Sequence, residues 1–216
     1  MSCVSSVRLF ALAIIATAGA AGVADRGAVR QAGGVIPQAP LRSGEHGVAP
    51  AGEGWFVLNA GEARWRERSG TGAVCDFEGE QPFAQLGVNL RVVAPGEPTT
   101  VYHWEADQED FLVLAGEALL VIDGEERALR QWDFVHCPAG VAHAIIGAGA
   151  GPCLLLAVGA RDRSSGPDWG AYVVDETALR HGCGVERQTS DPRVAYAAFG
   201  RRRPRRCGEG WLPDWR

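Results

Sequence analysis

Two short stretches decide the fold: Tyr102-His103-Trp104-Glu105-Ala106-Asp107-Gln108-Glu109 and Pro138-Ala139-Gly140-Val141-Ala142-His143. Each joins strand-forming residues to a tight turn. His103 and Glu105 are two residues apart, so on an extended strand their side chains point to the same face. Glu109 opens a further strand after a polar corner, and His143 follows a turn that contains Pro and Gly. Two imidazoles and two carboxylates that a folded sheet can bring together predict a metal site.

Short strands are predicted on both sides of these stretches. Asp123-Gly124 is a two-residue hairpin signal between two of them. So many short strands at close, even spacing are typical of a closed barrel or sandwich, and they predict an all-β domain. The predicted strands are Trp55–Leu58, Val74–Phe77, Gln85–Val93, Thr100–Glu105, Glu109–Leu114, Ala118–Ile122, Glu126–Leu129, Trp132–Cys137, His143–Ile146 and Cys153–Val158.

The two stretches resemble the motifs of the cupin superfamily, in its small, single-domain, RmlC-like form. The first family motif is Gly-x5-His-x-His followed by three or four residues, Glu, x6 and Gly. The second is Gly-x5-Pro-x-Gly-x2-His-x3-Asn. Glu109-x6-Gly116 and the segment from Pro138 to His143 match these patterns to the residue. The chain departs from the second motif at Trp132, where the family has Gly, and at Gly147, where it has Asn.

The first motif fits the chain in two registers. Counted strictly from Gly96, its two histidine positions fall on Tyr102 and Trp104. With one extra residue after Gly96, they fall on His103 and Glu105. We favour the shifted register, because it turns polar side chains toward the other ligand candidates, whereas the strict register leaves a buried carboxylate beside two aromatic rings.

The resemblance implies a double-stranded β-helix, the jelly-roll barrel of the cupins. It also implies one divalent metal ion, without distinguishing Zn, Mn, Fe or Ni, held by His103, Glu105, Glu109 and His143. The implied activity is that of a metal-dependent enzyme on a small polar organic molecule, with isomerase, dioxygenase and decarboxylase chemistry left open. By the same resemblance we expect a homodimer.

Two alternatives remain open at this point. One is a non-catalytic small-molecule binding or regulatory module, with or without metal, in which Tyr102 and Trp104 line a pocket. The other is a structural barrel whose site has been lost. Polar residues able to move protons near the metal would favour an enzyme, and Tyr102, His136 and Gln108 are the candidates near the motifs.

The composition argues against a nucleic-acid partner. The 216 residues carry a net charge of −5 with a pI near 5.6, and the single basic run, Arg201–Arg206, is predicted to be a solvated tail. The six cysteines show no Cys-x-x-Cys spacing, which argues against a zinc ribbon or a compact disulfide framework. Cys137, directly before Pro138, is predicted to be a small buried hydrophobic residue.

The chain is predicted to have three parts. Residues 1–51 are a low-complexity segment, residues 52–163 the cupin barrel, and residues 164–216 an extension with short helices. The apolar stretch within residues 1–24 is too short and too rich in Ala and Gly for a membrane span, so we expect no membrane partner. We favour an N-terminus assigned too early and a cytoplasmic protein, with a secreted protein as the alternative if residues 1–24 are a signal peptide.

Residues that can cap a helix N-terminus predict where the helices of the C-terminal extension begin. Asp175 can cap a helix that ends at Gly182, and Asp191-Pro192 can start another that ends at Gly200. Asn59 can cap a further short helix that runs to Trp65. Trp211 and Trp215 predict that the C-terminal tail is docked on its own barrel or on that of a partner.

Overall fold

The structure is a computed structural model that describes residues 36–163 and 166–213, all within a compact unit that spans Ile36–Arg216. Residues 1–24 lie outside the described ranges. Within those ranges the chain is built from β-strands and two short helices, which confirms the all-β expectation. The strands are β1 (Leu41–Gly44), β2 (Gly47–Pro50), β3 (Trp65–Glu67), β4 (Ala73–Cys75), β5 (Leu86–Val93), β6 (His103–Glu105), β7 (Glu109–Ala115), β8 (Glu117–Ile122), β9 (Glu125–Arg130), β10 (Phe134–Cys137), β11 (His143–Ala148), β12 (Cys153–Ala160), β13 (Gly170–Tyr172) and β14 (Arg203–Arg205), and the helices are α1 (Glu176–Arg180) and α2 (Pro192–Ala195).

Twelve of these strands form two antiparallel sheets with an apolar core between them, and β1 and β2 form a separate two-stranded hairpin. One sheet has the order β10-β7-β12-β5-β4-β3-β14, and the other has the order β13-β6-β11-β8-β9. The core between them is lined from both sides by inward-facing residues such as Val113, Leu120, Ile145 and Leu155, of which Val113, Ile145 and Leu155 are completely buried. Alternate residues of each strand face this core, as the period of a β-strand requires.

Tight turns fix the register of the central strands. Asp123 and Gly124 both have positive φ angles, +50° and +78°, and join β8 to β9 as the two-residue hairpin that the sequence predicts. Gly116, between β7 and β8, also has a positive φ, and a Cβ atom there would lie 2.5 Å from the carbonyl oxygen of Pro152. Only glycine therefore fits at this turn.

The C-terminal segment extends both sheets. β13 pairs with β6, and β14 pairs with β3, so the sheets continue past Arg163. Neither strand was predicted from the sequence. Arg201–Arg206 were predicted to be a solvated tail, whereas Arg203–Arg205 form β14. Trp211 packs on Trp65 with ring centroids 5.2 Å apart, so this part of the tail docks on the same chain, whereas Trp215 lies outside the described residues.

The two predicted helices of this segment are confirmed, although both are shorter than expected. The side chain of Asp175 accepts a hydrogen bond from the Ala178 amide at the start of α1. Asp191 caps α2 in the same way. The helix predicted from Asn59 to Trp65 is wrong, because Asn59 instead caps a turn through the Gly61 amide and Trp65 begins β3. The strand predicted from Trp55 to Leu58 reduces to a single bridge at Trp55.

Part of the predicted low-complexity segment is ordered β-structure. β1 and β2 form a hairpin whose Val48 amide donates to the Glu62 carbonyl at 2.8 Å and whose Val48 carbonyl accepts from the Arg64 amide at 2.9 Å. Ala39, just before the hairpin, is only 1% exposed, and Pro50 is buried. The predicted domain boundaries at residues 51 and 163 remain predictions. The ordered hairpin before residue 51 argues against the first of them.

A chain that starts at Gly52 should be less stable than one that starts at Ile36, because it loses the backbone hydrogen bonds of the hairpin and the burial of Ala39. At about 1 kcal/mol for each of two or three net hydrogen bonds, the melting temperature should fall by roughly 4–12 °C. Thermal denaturation followed by circular dichroism measures the difference. Equal melting temperatures would show that residues 36–51 add nothing to stability.

Both departures from the second family motif are explained by the backbone. Trp132 has φ +74°, a conformation that favours glycine, and its side chain is 67% exposed, so the ring is tolerated in solvent at this turn. Gly147 exchanges backbone hydrogen bonds with Gly96 and Glu97, and a Cβ atom there would lie 2.2 Å from the carbonyl oxygen of Ala94. The segment before β6 therefore lies too close to β11 for any side chain at position 147.

Gly147→Asn, which restores the family residue, should destabilise this protein by at least about 2 kcal/mol, because the backbone of Ala94 cannot withdraw cheaply. Urea denaturation measures the loss. Gly151→Asn is the matched control, since Gly151 is exposed and a Cβ atom there meets nothing within 4 Å. If the two variants were equally stable, the close backbone approach at Gly147 would not be a real constraint.

Candidate metal centre

His103, Glu105 and His143 come together through the pairing of two strands. β6 carries His103 and Glu105 on one face, and His143 at the start of β11 is the direct cross-strand partner of His103. The Gly140 amide donates to the Glu105 carbonyl at 2.8 Å, which ties the Pro-Gly turn to β6. The imidazole centroids lie 5.3 Å apart. The structure therefore places the two predicted histidines side by side on the inner face of the sheet.

The main chain fixes how both imidazoles present their nitrogens. Nδ1 of His103 lies 2.9 Å from the Val101 carbonyl oxygen, and Nδ1 of His143 lies 3.0 Å from the Val141 carbonyl oxygen. A carbonyl oxygen can only accept a hydrogen bond, so each Nδ1 carries the proton and donates. Nε2 of each ring is left as the metal-binding nitrogen and faces the carboxylates.

Glu109 arrives from the opposite sheet and closes the cluster. Its Oε2 lies 3.3 Å from Nε2 of His143 and 3.7 Å from Nε2 of His103. Glu105 Oε1 is 3.3 Å from the same His103 nitrogen. Donor atoms of His103, Glu105 and Glu109 all lie within 4.8 Å of one another, which is close enough for one ion to bridge them.

Two atoms at the centre of this cluster are buried and have no hydrogen-bond partner of good geometry among the described residues: Oε2 of Glu109 and Nε2 of His143. His143 is only 2% exposed. An unpaired buried polar atom costs roughly 1–3 kcal/mol, and more when it is charged. Adjacent orphan atoms, one a carboxylate oxygen and one an imidazole nitrogen, form a site that fits a divalent cation.

The pKa values of Glu109 and His143 also favour a bound cation. Burial opposes ionisation of Glu109, but His143, His103 and Arg91 outweigh it and hold the pKa of Glu109 below its usual value. Burial also favours the neutral form of His143, but its contacts with Cys137 and Glu109 outweigh that effect and raise the pKa of His143 to about 10. The space between Glu109 and His143 therefore stabilises positive charge, which a metal ion supplies in place of a proton.

The other residues singled out from the sequence lie away from this centre. Tyr102 packs in a separate cluster with Val121 and Cys183, in agreement with the shifted register. His136 is on the outer face, where Nδ1 lies 2.7 Å from Asp110, and Gln108 also bonds Asp110. These contacts do not support a proton-moving role at the candidate centre for Tyr102, His136 or Gln108.

Cys137 is buried as predicted, at 1% exposure, and it belongs to the core between the sheets. It is the cross-strand partner of Glu109 on β10, so its thiol side chain lies on the same inner face as that carboxylate. Contact with His143 places it at the wall of the centre.

Sequence reasoning missed the aromatic residues that flank the centre. Tyr172, on β13, is the cross-strand partner of His103, and the two ring centroids are 5.7 Å apart. Trp169 lies 6.2 Å from His103 and 5.4 Å from Tyr172. Both come from the predicted extension, so no local pattern linked them to the motifs. The alternation Trp169-Gly170-Ala171-Tyr172-Val173 was the available signal for a strand.

Comparisons with known proteins agree with this geometry. Residues 89–159 match the family model for the cupin domain, a range that contains all four predicted ligands. No curated protein matches the sequence. Residues 89–159 therefore carry a cupin domain, and the two antiparallel sheets agree with the double-stranded β-helix that the motifs predict.

Solved structures with similar folds have been found in several bacteria. A candidate sugar phosphate isomerase from Acidithiobacillus ferrooxidans is 29% identical over 36% of this chain and 51% of its own, with a TM-score of 0.35. The DMSP lyase from Ruegeria pomeroyi is 24% identical over 44% and 49%, with a TM-score of 0.38. A cupin 2 conserved barrel domain protein from Salinispora arenicola is 26% identical over 38% and 72%, with a TM-score of 0.35. The chain spans about half the length of the first two.

Among the helices in residues 36–163 and 166–213, none is long and apolar enough to cross a membrane.

Proposed function

We propose that this cupin holds one divalent metal ion through His103, Glu105, Glu109 and His143, and that it is a metal-dependent enzyme acting on a small polar organic molecule. The observation that carries the proposal is the pair of orphan atoms, Glu109 Oε2 and His143 Nε2, buried 3.3 Å apart. Without a metal ion this buried pair is balanced only when His143 is protonated beside the Glu109 carboxylate, and a divalent ion would take the place of that proton.

The donor set suits a borderline or hard ion. Two imidazole nitrogens and two carboxylates are ligands that Zn²⁺, Mn²⁺, Fe²⁺ and Ni²⁺ accept. Such an ion supplies Lewis acidity toward a substrate oxygen or lowers the pKa of a bound water. The chain's own residues orient the site: Val101 and Val141 carbonyls fix the imidazole rings, and Gly140 fixes the Glu105 backbone.

The four proposed ligands do not surround the ion completely. Trp169 and Tyr172, from the C-terminal segment, lie beside the cluster next to His103. The Tyr172 ring is tilted against that of His103, with centroids 5.7 Å apart, and Tyr172 is only 6% exposed. Burial raises the pKa of Tyr172 well above its ordinary range, and the neighbouring Tyr196 and the charge of Glu105 raise it further. The phenol therefore keeps its proton at neutral pH and can donate a hydrogen bond to a substrate oxygen.

A non-catalytic binding module is the second candidate, and the aromatic wall favours it. Trp169 and Tyr172 are the kind of side chains that line small-molecule pockets. Such a module would bind its ligand equally well after the metal has been removed, whereas the proposed enzyme would lose both ligand affinity and turnover.

The metal content of the purified protein tests the proposal. We expect close to one divalent ion per chain by elemental analysis. Glu109→Ala and His143→Ala should each remove a ligand and weaken metal retention, and Glu105→His should retain metal because it supplies another common ligand. Added metal at about 100 times its dissociation constant should stabilise the wild-type protein by about 2.7 kcal/mol.

His136→Ala is the matched control, because His136 is a half-exposed histidine on the outer face of the neighbouring strand. Tyr102→Phe is a second control, since Tyr102 packs in a different cluster. Both should leave the metal content unchanged. A wild-type protein without bound metal, whose melting temperature does not respond to Zn²⁺, Mn²⁺, Fe²⁺ or Ni²⁺, would refute the proposed centre.

We also propose a homodimer, as the family resemblance implies. β10 is an edge strand of its sheet, and Phe134 on it and Trp132 beside it are 64% and 67% exposed. Exposed aromatic side chains at a free edge favour pairing with another chain. Light scattering at micromolar concentration should give the mass of two chains, and a mass of one chain throughout that range would contradict the proposal.

A further inference from the structure

An arginine inside the barrel forms no direct ion pair with any residue that the structure describes. Arg91 on β5 pairs across the sheet with Leu155, a core residue, so its side chain projects from the inner face. Its Nε donates to the Asn89 side-chain oxygen at 3.0 Å, and its Nη1 donates to the Thr99 carbonyl at 2.9 Å. Both partners are neutral. The guanidinium is therefore held in place while its charge stays uncompensated by an ion pair.

A second guanidinium lies against the phenols next to His103. The Arg68 guanidinium carbon sits 4.2 Å from the ring centroid of Tyr196, and its Nε is buried without a hydrogen-bond partner. Tyr196 and Tyr172 meet edge to face at 5.7 Å. The Tyr196 hydroxyl accepts from the Val101 amide at 3.3 Å, so its own proton is free to donate elsewhere.

The charges around the metal centre do not balance without an anion. Two carboxylates and one divalent ion sum to zero, and the two imidazoles are neutral as ligands. Arg91 interacts electrostatically with Glu105 and Glu109 and also with Arg202, which is a third cation. Burial and Arg202 lower the pKa of both Arg68 and Arg91, yet a guanidinium keeps its charge at neutral pH. A net positive charge therefore remains beside the loaded centre.

We propose that Arg91 and Arg68, with the phenols of Tyr172 and Tyr196, bind an oxyanion group of the substrate, so that the substrate is a small organic acid or phosphate ester. Guanidinium groups match the geometry of carboxylate and phosphate oxygens, and the phenols add neutral donors. The Tyr172 ring stacks on His103, so an anion bound here lies next to the metal centre. The substrate class rests on the proposed function, whereas anion binding by these four residues does not.

Isothermal titration calorimetry tests the site with three ligands: lactate, its neutral analogue lactamide, and inorganic phosphate. Each ligand is titrated into metal-loaded protein and into protein that has been stripped with a chelator and dialysed. The stripped protein separates anion binding from coordination to the ion. We expect lactate and phosphate to bind at least about tenfold more tightly than lactamide to the metal-loaded protein. In the stripped protein the preference should be smaller but still measurable, because Glu105 and Glu109 are then no longer neutralised by the ion. Arg91→Met should abolish this preference and Arg91→Lys should retain part of it, with metal content unchanged in both.

Arg127→Met is the matched control, because Arg127 is an exposed arginine on β9 that pairs with Glu125. It should bind as the wild type does. If Arg91→Met does not fold, Arg68→Gln is used with the same criterion. Equal affinity for lactate, lactamide and phosphate in the wild-type protein, or a full preference that survives Arg91→Met, overturns the inference. Metal content without anion preference refutes this inference alone, and anion preference without metal content refutes the metal centre alone.

Discussion

The hydrogen bonds from His103 and His143 to the carbonyl oxygens two residues before them are the constraint on which the site depends. Each locks an imidazole with Nδ1 protonated and Nε2 turned inward. Because His103 and His143 are also direct strand partners, the pairing of β6 with β11 holds the two oriented imidazoles side by side. Glu109 then meets two oriented nitrogens from the opposite sheet, so the cluster requires the closure of the whole barrel and not any single motif.

This arrangement explains why the C-terminal segment belongs to the site. β6 has only three residues and would be an open edge beside the metal centre without β13. β13 pairs with it and places Tyr172 directly opposite His103. The same segment continues to Tyr196, whose hydroxyl bonds the Val101 amide just before β6. The residues that cover the centre are therefore also residues that hold its strand in place.

The central strands and the ligand cluster could be predicted because local pattern encodes them. Alternation from Leu86 to Val158, the Asp123-Gly124 turn and the spacing of His103, Glu105 and Glu109 are properties of short windows. Tyr172 and Arg91 could not be found this way, since their position beside the cluster depends on pairing between distant strands. The hairpin at residues 41–50 was missed because its strands are short, and small residues hid the burial of Ala39.

The departures from the family motifs argue for a working site and against one that has been lost. Trp132 and Gly147 both occupy positions that are constrained by the backbone conformation. Trp132 lies at a turn with positive φ, and Gly147 lies where two main chains are in close contact. Neither contributes a side chain to the centre. At the ligand positions the only change is Glu105 in place of a second histidine, and Glu105 keeps a donor atom 3.3 Å from His103. This exchange would add a negative charge next to the proposed metal ion. Arg68 and Arg91 both interact with Tyr196, so the proposed centre would combine a charge-neutral metal cluster with a cationic flank. Such a division suits a substrate that coordinates through one neutral oxygen while its anionic group is held apart from the two carboxylates.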